Sequence, residues 1–332
     1  MELQKTFTAV ASLLLLAANV VVVPALAQTF PNKPVTLMVP YPAGGTSDVL
    51  ARKISTPLAK ALGQAVVVEN LGGAGGAIAA SKVLGAPSDG YMLYQGSPNE
   101  LILAPLANAA VKYKSDEFRL VHNVGVFSMA IFARPDFPAA SADELAAYAV
   151  KTAQAGKPMT YASVGYGSFY HMLGEQMSKV LNVPMTHVPY KGAGNILPDL
   201  IGSQIDIFIS PYAAPHIEMV KAGKLKIVTA ISPKRQTPIP NVPTVDEGKA
   251  LKGFHYNIGT GYYVKKDTPE AVVQVLHKAI IAGLADADVR AAIAGAGGEP
   301  APSTPLDQSA RAYASEIAQF TAIAKSINLQ PQ

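Results

Sequence analysis

The sequence predicts an α/β protein built as two Rossmann-like lobes joined by two crossing strands, and three observations lead there. β-rich runs alternate with Ala/Leu-rich stretches of helical spacing along most of the chain. The runs form two series, so two sheets are expected. Between the series lies the apolar, β-like segment Val124 to Arg134, ending at Pro135. A matching segment, Tyr256 to Lys265, follows the second series and precedes Pro269. These are the expected crossing strands, and they describe a clamshell able to close about a hinge on a ligand.

In chain order, Lys5 precedes an apolar run from Phe7 through Val23, broken by Thr8, Ser12 and Asn19, that ends in Pro24-Ala25-Leu26-Ala27. A basic start, an apolar middle and small residues at the minus-three and minus-one positions make a secretory signal cleaved after Ala27. A retained membrane anchor is the competing reading, because the run approaches the roughly 18 to 20 residues that span a bilayer. Residues 1–27 carry one Lys and one Glu, so the charge stays at +4 after cleavage, 26 basic against 22 acidic residues. That mild basicity suits an anionic ligand, but no Lys/Arg block marks a nucleic-acid partner. Cysteine is absent, which excludes disulfides, thiolate metal sites and a cysteine nucleophile.

Past Gln28 the first strand is Val35 to Val39, followed by a helical stripe through Val49, Leu50, Ile54 and Leu58 that Pro57 interrupts mildly. Ala65 to Val68 reads as the next strand, Ala77 to Leu84 as a helix, Pro87-Ser88-Asp89-Gly90 as a turn and Tyr91 to Tyr94 as a third strand. Repeating this unit gives a parallel sheet with ligands gathered at the carboxyl ends of its strands. Met159 to Ser163, Met185 to Val188 and Ile205 to Ile209 form the second series. Glu270 to Leu284 and Ala310 to Ile327 are long helical patterns, the first opened by Thr268 as cap and Pro269 at the first helical position. This C-terminal part is expected to pack back on the first lobe.

Three strand-to-helix loops carry the candidate chemistry. In Tyr41-Pro42-Ala43-Gly44-Gly45-Thr46-Ser47-Asp48, the glycines permit close backbone approach. Thr46 or Ser47 can cap the helix and leave other first-turn N–H groups for a carboxylate. A plain capped turn is the bland alternative, and Asp48 complements the helix dipole without any ligand. Ser163-Val164-Gly165-Tyr166-Gly167-Ser168-Phe169-Tyr170-His171 repeats the design, with Ser168 and His171 three apart on one helix face. Ser168 as a simple N-cap and His171 as a surface residue is the competing reading. The third loop, Val188-Pro189-Tyr190-Lys191-Gly192-Ala193-Gly194-Asn195, adds a cation, although lone lysines are usually solvated. Ser97, just past the third strand, and Ser210 complete the candidate ligand-binding set. The run Gly72-Gly73-Ala74-Gly75-Gly76 lacks both the dinucleotide spacing and a phosphate-binding Gly-Lys-Ser/Thr. No metal-ligand spacing occurs among the six histidines, and Ser168 is outside any nucleophile elbow. A Ser168/His171 hydrolase dyad remains as an alternative function.

At these loops the sequence resembles the substrate-binding proteins of tripartite tricarboxylate transporters, the Bug family, over almost all of the chain past Gln28. The resemblance rests on Val39 to Asp48, Glu69-Asn70-Leu71-Gly72 to Gly76, Ala86 to Tyr91, Ser163 to His171, His187 to Gly192 and Asn241 to Val245. It implies a type II periplasmic-binding-protein clamshell, a periplasmic location, a small carboxylate ligand handed to membrane permease subunits, no cofactor and no catalysis. It also implies that Tyr41 to Asp48 grips one carboxylate, partly through ordered water, while Ser163 to His171 contributes from the other lobe. Three departures are visible. Ser210-Pro211 stands where relatives carry Asp-Asn, which disfavours an amino-acid ligand. Gly72 replaces a common Pro, and Tyr41 replaces the usual Phe, adding a hydroxyl that suits a polar or aromatic ligand. The expected layout is a signal over 1–27, one lobe over 28–127 plus 253–332, the other over 128–252, acting as a monomer. A binding module that feeds a sensor kinase is compatible with the same residues.

Overall fold

The computed structural model describes residues 30–190 and 193–332. The expected signal segment and the loop residues Lys191 and Gly192 lie outside the described residues. Strand β1 (Val35–Val39) pairs in parallel with β2 (Val66–Asn70) and β3 (Met92–Gly96). In a second group, β5 (Thr160–Ser163) pairs in parallel with β6 (Thr186–Pro189) and β7 (Ile207–Pro211). The α/β expectation holds at both ends of the sheet.

The middle departs from two separate parallel sheets. Strand β4 runs from Phe118 to Ala133, longer than expected, and belongs to both groups. Its first part pairs antiparallel with β9 (Asn257–Lys265), which pairs antiparallel with β3. Its last part pairs antiparallel with β7 and with β8 (Lys226–Ala230). The short β10 (Gly298–Pro300) flanks β4 opposite Gly125 to Phe127. The result is one ten-stranded mixed sheet with the path β2-β1-β3-β9-β4-β7-β5-β6. Sixteen residues at about 3.3 Å each reach across both groups, so one strand fuses what the sequence suggested were two sheets. β9 does not cross. Its pairing with β4 ends at Asn257 opposite Ser128, and β4 takes up β7 from Met129 onward.

Helix α1 (Thr46–Leu62) buries Leu50, Ala51, Ile54, Leu58 and Leu62, while Val49, expected in that stripe, is 47% exposed. Its C-terminus is closed by Gly63 at φ 67°, a left-handed position that costs glycine little. Helix α2 (Ala77–Gly85) follows, then a π-type turn over 99–103, the short α3 (Ala104–Ala107) and, past β4, α4 (Ala142–Gln154). Helices α5 (Phe169–Leu181), α6 (Ala193–Ile201) and α7 (Ala214–Lys221) accompany the second strand group. Helices α8 (Glu270–Leu284), α9 (Ala287–Gly295) and α10 (Leu306–Ser326) close the chain. The α8 pattern starts where expected, but Pro269 itself is the cap residue and Thr268 supplies no cap bond.

The C-terminal helices do more than return to the first strand group. α8 packs on α1, whereas α10 reaches α5, where Phe320 meets Phe169 edge-on at 5.6 Å and Lys179 Nζ donates to Ser326 O at 2.7 Å. Among the described residues, no helix is long and apolar enough to cross a membrane.

Candidate functional site

The loop after β1 leads into an open helix end. Gly45 is the N-cap residue of α1, and no side chain caps the N–H groups of its first turn. The expectation that Thr46 or Ser47 caps this helix is therefore corrected. Gly44, at φ 84°, turns the backbone so that its N–H donates to Asp48 Oδ2 at 2.9 Å. Asp48 is 4% exposed and also accepts from Arg52 Nε at 3.0 Å. These donors, with Asn70, hold its carboxyl below the usual range. Asp48 thus braces the turn from within, while Ala43, Gly44, Gly45 and Thr46 face outward. Asn70 Nδ2 pins Tyr41 O at 3.1 Å, and Gln95 Nε2 pins Ser47 O at 2.8 Å.

Behind Tyr41 lies a carboxylate that the sequence reading did not single out. Glu100 is fully buried and accepts from the Tyr41 hydroxyl, from Ser97 N at 2.7 Å and from Ser97 Oγ at 2.7 Å. Burial pushes its pKa up, and the three donors oppose that shift. Gly76, at φ 94°, exists for this group: a Cβ there would fall 2.3 Å from the Glu100 side chain. The glycine-rich run makes room for a buried acid. The signal was present in the Ser97-x-x-Glu100 spacing of a capping box, in which the glutamate reaches back to the serine N–H.

Asn99 links the two loop systems. Its Oδ1 accepts from Phe169 N at 2.8 Å, at the first residue of α5. Tyr170, next on that helix, has its pKa pushed up to about 12 by burial and by the Glu100 charge, which places it beside the same acid. Gly167, at φ 73°, sits so close to α3 that a Cβ would meet Ala107 Cβ at 1.9 Å. Tyr41, Ser97, Gly167 and Ser168 are thereby brought into one region.

The second loop is more closed than the first. Ser168 is the N-cap of α5, accepting from His171 N at 3.3 Å and donating to Gly165 O at 2.7 Å. His171 is buried, not on the surface. Its Nδ1 accepts from Gly167 N at 3.1 Å and its Nε2 lies 3.8 Å from Glu175 Oε1. Its ring stands 4.2 Å from that of His187, and burial followed by that neighbour lowers its pKa to about 4. His187 Nε2 lies 2.6 Å from Ser163 Oγ and stacks on Tyr161. Ser168 and His171 meet only through backbone, so the hydrolase dyad is not assembled. Ser210 lies inside β7, opposite Ala130 of β4, rather than past the strand end. Among the described residues no group of three or more His, Cys, Asp or Glu is placed to hold a metal.

Two α/β strand groups sharing one long strand, with loops at helix N-termini turned toward each other, define a periplasmic-type solute-binding protein. Residues 50–329 match the Tripartite tricarboxylate transporter family receptor, and the chain belongs to that family. It is 30% identical to Protein BugT of Bordetella pertussis over 313 residues, 91% of each chain. The structure of the periplasmic binding protein BugD superposes with a TM-score of 0.76 at 32% identity, covering 91% of this chain and all of that one. MatC from Rhodopseudomonas palustris, with bound malate, superposes with a TM-score of 0.76 at 29% identity, covering 89% and 99%. The family and these neighbours are solute-binding proteins, not enzymes.

Proposed function

We propose that this receptor, exported to the periplasm and cleaved after Ala27, captures a small mono- or dicarboxylate as a monomer and delivers it to the membrane subunits of a tripartite transporter. One carboxylate docks at the N-terminus of α1, on Gly44, Gly45, Thr46 and Ser47. The observation that carries this reading is the asymmetry of the helix ends: α5 is capped by Ser168 and Asn99, whereas the exposed first turn of α1 has no side-chain cap. The malate held by MatC is a dicarboxylate and fits this class. Ser163, Gly167, Ser168 and His171 form the opposing wall, and Lys191 and Gly192 complete the set of ligand contacts. Ser210 stands where relatives carry an acid, which disfavours a ligand with an ammonium group. The lobes are 28–127 plus 253–332 and 128–252, with the hinge where β4 changes partners between Ser128 and Met129.

The mature protein is expected to melt at higher temperature with one or more dicarboxylates, since a ligand at a hundred times its Kd adds about 2.7 kcal/mol. A panel spanning short hydroxylated and longer linear dicarboxylates, monocarboxylates and amino acids tests this by thermal shift. A response confined to amino acids, or none from correctly folded protein, overturns it.

A further inference from the structure

Away from those loops, the α10 face of the sheet carries a pocket of about 320 Å³ that opens to solvent. Leu120, Val126 and Tyr313 supply its apolar wall, and Asn123, Asn257 and Gln319 bring amides to its edge. Alternation along β9 creates the space, because Asn257, Gly259 and Tyr263 face α10 and position 259 has no side chain. A Cβ at Gly259 would lie 3.6 Å from Glu316 Oε1 and 3.9 Å from Asn123 Oδ1. Glu316 of α10 therefore points its carboxyl into the gap that Gly259 leaves.

That carboxyl faces the open pocket without a protein partner. Among the described residues it has no hydrogen-bond donor and no ion-pair partner, and the pocket wall contains no Lys, Arg or His. The pKa of Glu316 rises to about 7, with burial as the cause. The titratable groups facing it are the Tyr263 hydroxyl of β9 and the Tyr313 hydroxyl of its own helix, both of whose pKa values its charge helps to raise. Neither can neutralise it. An anionic ligand is repelled here, and a lone half-buried carboxylate favours a cation that supplies both charge and N–H donors. The apolar wall beside it suits an alkyl stem, and the volume is near the small end of ligand pockets, at about 300 Å³.

We propose that the pocket between α10, β4 and β9 is a second ligand site, distinct from the carboxylate loops, that takes a small alkylammonium compound. Its ammonium group pairs with Glu316, its stem lies on Leu120, Val126 and Tyr313, and the Asn123 and Asn257 amides lie alongside. The pocket adjoins the stretch where β4 passes from one strand group to the other, so occupancy ties α10 to the strand that bridges both.

The test is thermal shift of the full mature protein at pH 8.5 with n-butylammonium chloride, against potassium chloride at equal ionic strength. Butylammonium is expected to raise the melting temperature beyond the potassium control. Glu316→Gln should abolish the difference, as should Gly259→Val, which fills the pocket with a residue suited to a strand. Apparent affinity should also fall at least tenfold between pH 8.5 and pH 5.5 as Glu316 takes up its proton. A response equal to that of potassium, or one retained in Glu316→Gln, overturns the proposal. If Gly259→Val does not fold, Glu316→Gln alone decides. A dicarboxylate response is expected to persist in Glu316→Gln, and its presence or absence in wild type tests the other site separately.

Discussion

Glu100 places the largest electrostatic demand near the candidate loops, because a carboxylate without solvent must be met by donors. Tyr41 and Ser97 meet it, and both therefore donate inward, toward the protein. The extra hydroxyl at Tyr41, read from the sequence as a feature of the ligand surface, is spent on a buried acid. Tyr41→Phe should lower stability by about 1 to 3 kcal/mol through the lost donor to a buried carboxylate, measured as a shift of the urea midpoint. Glu100→Gln should reduce the cost of that second substitution in a double-mutant cycle. Additive effects of the two changes would show that Tyr41 acts on stability without Glu100. The acid escaped the sequence reading because its role depends on Gly76 and Tyr41, 24 and 59 positions away, and only the fold brings them together.

At the scale of elements, the parallel strand groups and the helices between them were legible because each has its own period and punctuation. Val35 to Val39 and Glu270 to Leu284 fall where expected. The extension of β4 back to Phe118 was not legible, since Arg119, His122 and Asn123 break the apolar pattern. Those polar residues are accommodated by partners distant in sequence: Arg119 meets Glu270, and His122 accepts from Thr304 N. Two bulges in the β4–β9 register, between Leu120 and His122 and between Asn123 and Gly125, further disturb the period of two. Of the candidate site, the loop positions were readable from glycine and serine placement, whereas their unequal capping was not. It follows from Gly45 taking the cap position of α1 and from Asn99, which stands in another loop, adding a second acceptor at α5. Helix α5 also packs unusually closely on β5. A Cβ at Gly174 would fall 2.0 Å from the Tyr161 ring. Gly174→Ala should therefore destabilise by about 1 to 3 kcal/mol from overpacking, although alanine is the better helix former by about 1 kcal/mol. A chemical melt showing net stabilisation would mean that Tyr161 can move aside.

Across the whole molecule, the buried His171 and the half-buried Glu316 give pH dependences of opposite sign. His171 has a folded pKa of about 4 against an ordinary 6.5, so between those values the unfolded chain binds more protons. Its contribution to stability is present above 6.5 and lost as pH falls toward 4. Glu316 has a folded pKa of about 7 against an ordinary 4.5, so between those values the folded protein binds more protons. Its ionisation removes stability as pH rises from 4.5 to 7. The two slopes oppose each other where the windows overlap, and wild type alone cannot separate them. Differences from wild type can. Glu316→Gln should gain on wild type as pH rises from 4.5 to 7, and His171→Gln should gain on it as pH falls from 6.5 to 4. Urea midpoints at half-unit pH steps measure both. If Glu316→Gln instead runs parallel to wild type, or gains on it as pH falls, Glu316 has a compensating partner, and no lone carboxylate faces the pocket beside α10.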